Sequence, residues 1–144
     1  MEERYIFIAR NLLDSSNANF AYSGENGTIV SDLNGIKRLM KLAAEKHDLS
    51  KGFTADRIVG KAAALIMVLL GAKNVYARTL SKPAYEVFVK YGVNFTFTYL
   101  VEAIINRTGD DICPMEKTVL GTDEPKKAYE LLSEKMKQMG IKIS

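Results

Sequence analysis

Residues 62–70, Ala-Ala-Ala-Leu-Ile-Met-Val-Leu-Leu, carry no polar side chain in nine consecutive positions. A run of this kind needs burial on every side, yet it is far shorter than the roughly 20 residues required to cross a bilayer. It belongs inside a protein core. Asp56, Arg57, Gly60 and Lys61 lie just before it, so the segment enters the core charged end first, an arrangement that often opens onto a pocket. The spacing predicts one helix over 56–70, closed by Gly71. Asp56 would then sit in the first turn, where a carboxylate meets free amides and the positive end of the helix dipole. Lys61 would share a mostly apolar stripe with Arg57, Ala64, Leu65 and Val68.

A core that encloses such a helix needs length and apolar content, and 144 residues at 47% apolar supply both for one domain. A chain of that size buries roughly 68–70% of its unfolded surface. A single domain over 1–144 is expected, with no linker, repeat or low-complexity tract. One cysteine, Cys113, cannot form an internal disulfide, which suits a reducing compartment. The first twenty residues alternate charge with short apolar groups, unlike a signal peptide. Cytoplasmic placement is the expectation. Twenty basic and 17 acidic residues leave a net charge of +3, and the cations are scattered rather than striped. Neither nucleic acid nor a membrane is an expected partner.

Around the central segment the pattern alternates between helix and strand. Tyr5, Ile6, Ile8, Ala9, Leu12 and Leu13 predict an N-terminal helix over 3–14. Strands near 20–22 and 28–30 flank an Asn26-Gly27 pair, the chemistry of a tight hairpin. Asp32 or Asn34 could cap a helix bearing Ile36, Leu39, Met40, Leu42 and Ala43 on one face. Strand 74–80, a helix that begins near Pro83 and stops at Gly92, and strand 95–101 follow, and residues 102–105 could prolong that last strand or begin a helix. The final element is a helix over about 125–139 closed by Gly140. Helices packed on both faces of a small mixed sheet, a three-layer α/β/α domain, are the expected architecture.

A second polar cluster runs from Asn106 to Glu116. Arg107 could fork onto a carboxylate or phosphate, or pair with Asp110 or Asp111. Asp110 and Asp111 together could hold Mg²⁺ against a phosphate. Cys113-Pro114-Met115-Glu116 has the form of a helix start, with cysteine where serine, threonine or aspartate would cap better. A thiol at a helix start could serve as nucleophile or redox-sensitive group; a buried inert cysteine is the alternative.

Ala55-Asp-Arg-Ile-Val-Gly-Lys-Ala-Ala-Ala64, Ile104-Ile-Asn-Arg107 and Cys113-Pro-Met-Glu116, in that order, resemble a small prokaryotic family of unknown function, over about residues 10–132. The resemblance implies a cytidine-deaminase-like fold. In zinc deaminases a His or Cys followed by Ala-Glu opens the corresponding helix, and a Pro-Cys-x-x-Cys follows the next strand. Here Thr54 falls near the first ligand position, Asp56 stands in for the glutamate, and Lys82-Pro83-Ala84-Tyr85-Glu86-Val87 keeps the proline without either thiol. Catalytic zinc needs three protein ligands, whereas the chain has one histidine, His47, and one cysteine. No metal or other cofactor is expected.

Two chemistries share the candidate site. In the first, Asp56, Lys61 and the Cys113 turn, with Arg57, Gly60, Asn106, Arg107, Asp111 and Glu116, bind a small anionic or nucleotide-like metabolite in a sensor or accessory protein. In the second, Asp56 or Lys61 acts as acid and base with Cys113 as nucleophile. A third reading is an interaction module that works through an exposed sheet edge or the C-terminal helix on a protein partner, with no small ligand; whichever reading holds, a homo-oligomer is also open.

Overall fold

The computed structural model describes residues 2–33, 35–106 and 108–143. Helix α1 (Glu3–Ser15) leads into a hairpin of β1 (Phe20–Gly24) and β2 (Gly27–Ser31), and then come α2 (Lys37–Ala44) and β3 (Gly52–Val59). Helix α3 (Lys61–Leu69), β4 (Asn74–Ser81), α4 (Lys82–Lys90) and β5 (Asn94–Val101) follow, with the short α5 (Pro114–Thr118) and α6 (Pro125–Gln138) last. The five strands form one mixed sheet in the order β2-β1-β3-β4-β5. Strand β1 is antiparallel to both of its neighbours, while β3, β4 and β5 run parallel, joined by α3 and α4. No helix among the described residues is long and apolar enough to cross a membrane.

The two faces of the sheet pack into separate clusters. Opposite residues of an antiparallel pair share a face, and the register sets Phe20 against Asp56, Ala21 against Ala55 and Tyr22 against Thr54. Phe53, Ala55 and Tyr76 join Ala9 and Leu13 of α1 in the smaller cluster. Phe20 and Tyr22 belong to the larger one, with Leu39, Leu65, Ile66, Leu80, Phe88 and Leu132. Every residue of α3 from Ala62 to Met67 is buried, and a fully buried Leu, Ile or Met contributes about 1.5–3 kcal/mol. This explains why the apolar run has no polar face.

Three expectations are corrected. The helix predicted over 56–70 is two elements: β3 carries the chain as far as Val59, Gly60 turns it, and α3 begins at Lys61. Asp56 therefore lies in a strand rather than a first helical turn, and Arg57 shares no helical stripe with Lys61. The misassigned stretch, Asp56 to Val59, is only four residues and shows no clean alternation of burial, too short for periodicity to separate strand from helix. Residues 102–105 form neither alternative; Ile105 makes an isolated antiparallel bridge with Ile112. Helix α2 starts at Lys37 with Ile36 as N-cap and no side-chain cap, so Asp32 does not cap it, and Asn34 lies outside the described residues.

The hairpin forms where Asn26-Gly27 placed it, but only Gly27 takes a positive φ, +118°. Asn26 is used through its side chain, accepting the Tyr22 hydroxyl at 2.5 Å and donating to the Asp48 carbonyl at 2.9 Å.

Candidate functional site

At the carboxyl end of β3 a cleft of about 880 Å³ opens. Its walls come from Ile36 and Arg38 at the start of α2, Ile58 and Gly60 at the strand end, Ile104–Asn106 and Cys113–Glu116 of the long β5–α6 connection, and Met139 and Ile141 after α6. Ile58, Ile105 and Met139 are 53%, 52% and 47% exposed, so the cleft presents apolar side chains to solvent. Concave, apolar-walled space outside the carboxyl ends of parallel strands is where open α/β sheets bind ligands. A second depression, about 580 Å³ among Glu2, Tyr5, Glu25, Ser50 and Lys51, lies by α1. Its lining includes none of the buried charged groups.

Beneath the cleft lies a buried ion pair. Arg38 Nη2 donates to both carboxylate oxygens of Asp56 at 2.6 Å, with the two side chains only 4% and 0% exposed. Arg38 Nη1 donates to the Gly35 carbonyl. Burial pushes the Asp56 carboxyl above its ordinary pKa, opposed by the charge and hydrogen bonds of Arg38. Arg38 Nε and, on the same β3 face as Asp56, Thr54 Oγ1 have no hydrogen-bond partner among the described residues. Asp56 is thus held by Arg38 and does not line the cleft.

A carboxylate does stand at the start of α3, but Glu116 supplies it. Its Oε1 accepts from Lys61 N at 2.6 Å and its Oε2 from Ala62 N at 2.8 Å, which satisfies two of the amides that every helix start leaves free. The favourable end of the helix dipole adds to this. Glu116 is buried, and burial raises its pKa against the lowering effect of the two amides. Gly60 makes the approach possible: a Cβ there would lie 2.1 Å from Glu116 Oε1 and 2.8 Å from Ile104 Cγ1.

The other expected residues are divided by the fold. Lys61 points away from the cleft, pairing with Asp123 at 3.1 Å and donating to the Leu120 carbonyl at 3.3 Å; Asp123 is held below its ordinary pKa chiefly by that lysine. Arg57 reaches the cleft edge with its donors on the carbonyls of Ala18, Leu13 and Ser16. Asn106 turns its side chain into its own loop, accepting from Gly109 N and donating to Asp110. Asp111 faces Lys117, whose hydrogen bond lowers its pKa. Cys113 is half-buried on the cleft wall and gives no side-chain cap to α5. Arg107 lies outside the described residues.

Of the expected site, then, Arg57, Gly60, Asn106, Cys113 and Glu116 converge on the cleft, and Asp56, Lys61 and Asp111 do not line it. Sequence reasoning missed Lys37, Arg38 and Ile58. Arg38, set beside the apolar Ile36-Leu39-Met40 face of its helix, was the one legible signal, since an arginine there calls for a buried acid.

These features define a mixed α/β protein with a cleft at the carboxyl end of its first parallel strand. The model of a domain of unknown function, DUF1893 (TM1506), matches residues 8–136, and the chain belongs to that family. A DUF1893 family protein (TM1506) from Thermotoga maritima, known from its crystal structure, is similar in fold, with a TM-score of 0.85. The likeness covers 94% of this chain and 92% of that one at 24% identity. No match to a curated protein was found.

Proposed function

We propose that this DUF1893 protein is a zinc-free, deaminase-like three-layer α/β/α domain that binds a small anionic, nucleotide-like metabolite in the β3 cleft. It would act as a cytoplasmic sensor or accessory protein. The observation that carries this reading is the cleft itself, with apolar walls at Ile58, Ile105 and Met139 and a cation, Lys37, on its lining. Lys37 is half-buried and has no ion-pair partner among the described residues. Among the described residues around the cleft, three cations, Lys37, Arg38 and Arg57, stand against the two carboxylates Asp56 and Glu116. The surplus charge favours an anion, and the isoleucine and methionine walls favour a flat apolar body such as a base. Because Glu116 already occupies the leading amides of α3, the anionic group is drawn to Lys37 rather than to that helix terminus.

The donor set does not suit the zinc of the deaminases. Among the described residues no three His, Cys, Asp or Glu side chains group as metal ligands. His47 lies on the surface against Glu45 at 3.3 Å, far in sequence from Cys113 on the cleft wall. The acid-base reading meets a similar obstacle: Asp56 is tied to Arg38, Lys61 to Asp123, and only Cys113 of the three lines the cleft.

A thermal-shift screen with nucleosides, nucleotides, sugar phosphates and simple carboxylates tests the proposal. A ligand at 100 times its Kd adds about 2.7 kcal/mol to stability, which raises the midpoint by several degrees. The expected result is a hit that is lost in Lys37→Ala and Ile58→Asp and retained in Lys61→Ala. No hit across the panel, or hits indifferent to Lys37 and Ile58, would overturn it.

A further inference from the structure

Strand β5 forms one edge of the sheet, and none of its eight residues, Asn94 to Val101, is charged. In a chain that is 26% charged, such a stretch at an unpaired edge is conspicuous. Natural edge strands are blunted by lysines, prolines, bulges or brevity, because a long uncharged edge is a template for further pairing. The opposite edge, β2, is uncharged too but shorter, five residues against eight. Strand β5 shows none of these devices.

The surface beside the edge is apolar as well. Phe97, Tyr99 and Leu100 are 37%, 60% and 43% exposed, and Tyr85 and Val89 of the adjoining α4 are 39% and 60% exposed. The rings are ordered among themselves, with Tyr85 edge-on to Phe95 at 4.9 Å and to Phe97 at 6.1 Å between centroids. This face needs no repacking to receive a partner.

We infer that two copies of this chain form a twofold dimer in which their β5 strands pair antiparallel about Phe97, joining the two sheets into one. Three observations select a second copy as the occupant. An antiparallel strand paired with itself is self-complementary, as a twofold interface requires. With Phe97 on the axis, Phe95 lies opposite Tyr99 and Thr96 opposite Thr98, the aromatic and threonine cross-strand pairs that stabilise sheets. The rim charges are Lys82, Glu86, Lys90 and Glu102, and both lysines are already paired, Lys82 with Glu102 and Lys90 with Asp123. Two copies therefore meet there with neither of these lysines unpaired.

The size is adequate. A strand of eight residues runs about 27 Å, and with a helix beside it the face is about 20 Å wide. That gives on the order of 500 Å² per copy and about 1,000 Å² in total, the level at which a specific interface becomes sustainable.

Analytical ultracentrifugation and light scattering on the purified full chain test the dimer. The wild type should sediment at about twice the 16.0 kDa chain mass, and Tyr99→Lys and Phe97→Lys should each return it to the chain mass. Circular dichroism melts will show whether each variant is folded. As a second measurement, Phe97→Cys in a Cys113→Ser background should form a disulfide-linked dimer under mild oxidation, whereas Val30→Cys on the β2 edge should not. A wild type that stays monomeric at all concentrations overturns the inference. So does a dimer that survives both lysine variants, or one that cross-links through position 30 rather than 97.

Discussion

Removing either member of the Arg38–Asp56 pair should unbalance the floor of the cleft severely. Both side chains are almost wholly buried, and one guanidinium nitrogen serves both carboxylate oxygens at 2.6 Å. Breaking a buried pair by deleting one partner costs about 3–5 kcal/mol, because the survivor is left as an uncompensated buried charge. For a chain of 144 residues the unfolding entropy is about 0.3 kcal/mol/K, so each loss corresponds to a midpoint lower by about 10–16 °C. The two deletions differ with pH. In Arg38→Met the orphaned carboxyl can escape by taking a proton, so its penalty should grow as pH rises. In Asp56→Leu the guanidinium has no such escape, and because the folded wild-type carboxyl sits above its ordinary pKa, that penalty should decline rather than grow as pH rises. The double variant Arg38→Met/Asp56→Leu replaces the pair by apolar groups and should be more stable than either single variant. Urea unfolding of the four proteins at several pH values closes the cycle. Single penalties below about 1 kcal/mol, or a double variant whose loss equals the sum of the singles, would show that the pair is not a mutually dependent buried unit.

The contact between Gly60 and Glu116 gives a second cycle: Gly60→Ala should destabilise the protein by about 1–3 kcal/mol by displacing the carboxylate from the amides of Lys61 and Ala62, and much less in a Glu116→Ala background, as read by denaturant titration. The folded Glu116 carboxyl keeps its proton to a higher pH than the unfolded one, so its contribution is complete below the ordinary glutamate value and declines as pH rises through the folded value. Wild-type stability measured relative to Glu116→Gln should therefore fall across that window, and a rise would refute the burial-dominated shift. Lys61→Met should cost no more than about 1 kcal/mol in a thermal or urea melt, because its partner Asp123 is 55% exposed and such pairs are weak; a loss of several kcal/mol would mean the Leu120–Asp123 strap depends on this lysine.

Much of the fold was legible because local chemistry and tertiary structure agree. The Asn26-Gly27 turn, Pro83 at the start of α4, Gly71 and Gly92 beyond helix ends, and the Cys113-Pro114 helix start each act within a few residues, and each stands where the sequence placed it. Membership of a family of unknown function was legible too, from three short segments in order. The site was only half legible. Gly60, Cys113 and Glu116 were singled out, and all three line the cleft, but the role of Glu116 was not foreseen, since its partners Lys61 and Ala62 lie more than fifty residues away.

By itself, then, the amino-acid order determined the turns, most of the helices and strands, and the burial of residues 62–70, because turn geometry, capping and periodicity act over a few neighbouring residues. Only the tertiary structure decided that Asp56 belongs to a strand, that Arg38 neutralises it, and that Lys61 faces Asp123 instead of the cleft. Four residues, Asp56 to Val59, that run straight into an apolar helix carry no period of their own, and the choice between strand and helix is made by pairing with β1 and β4. Charge partners are likewise selected by distance in space, which the spacing along the chain does not encode.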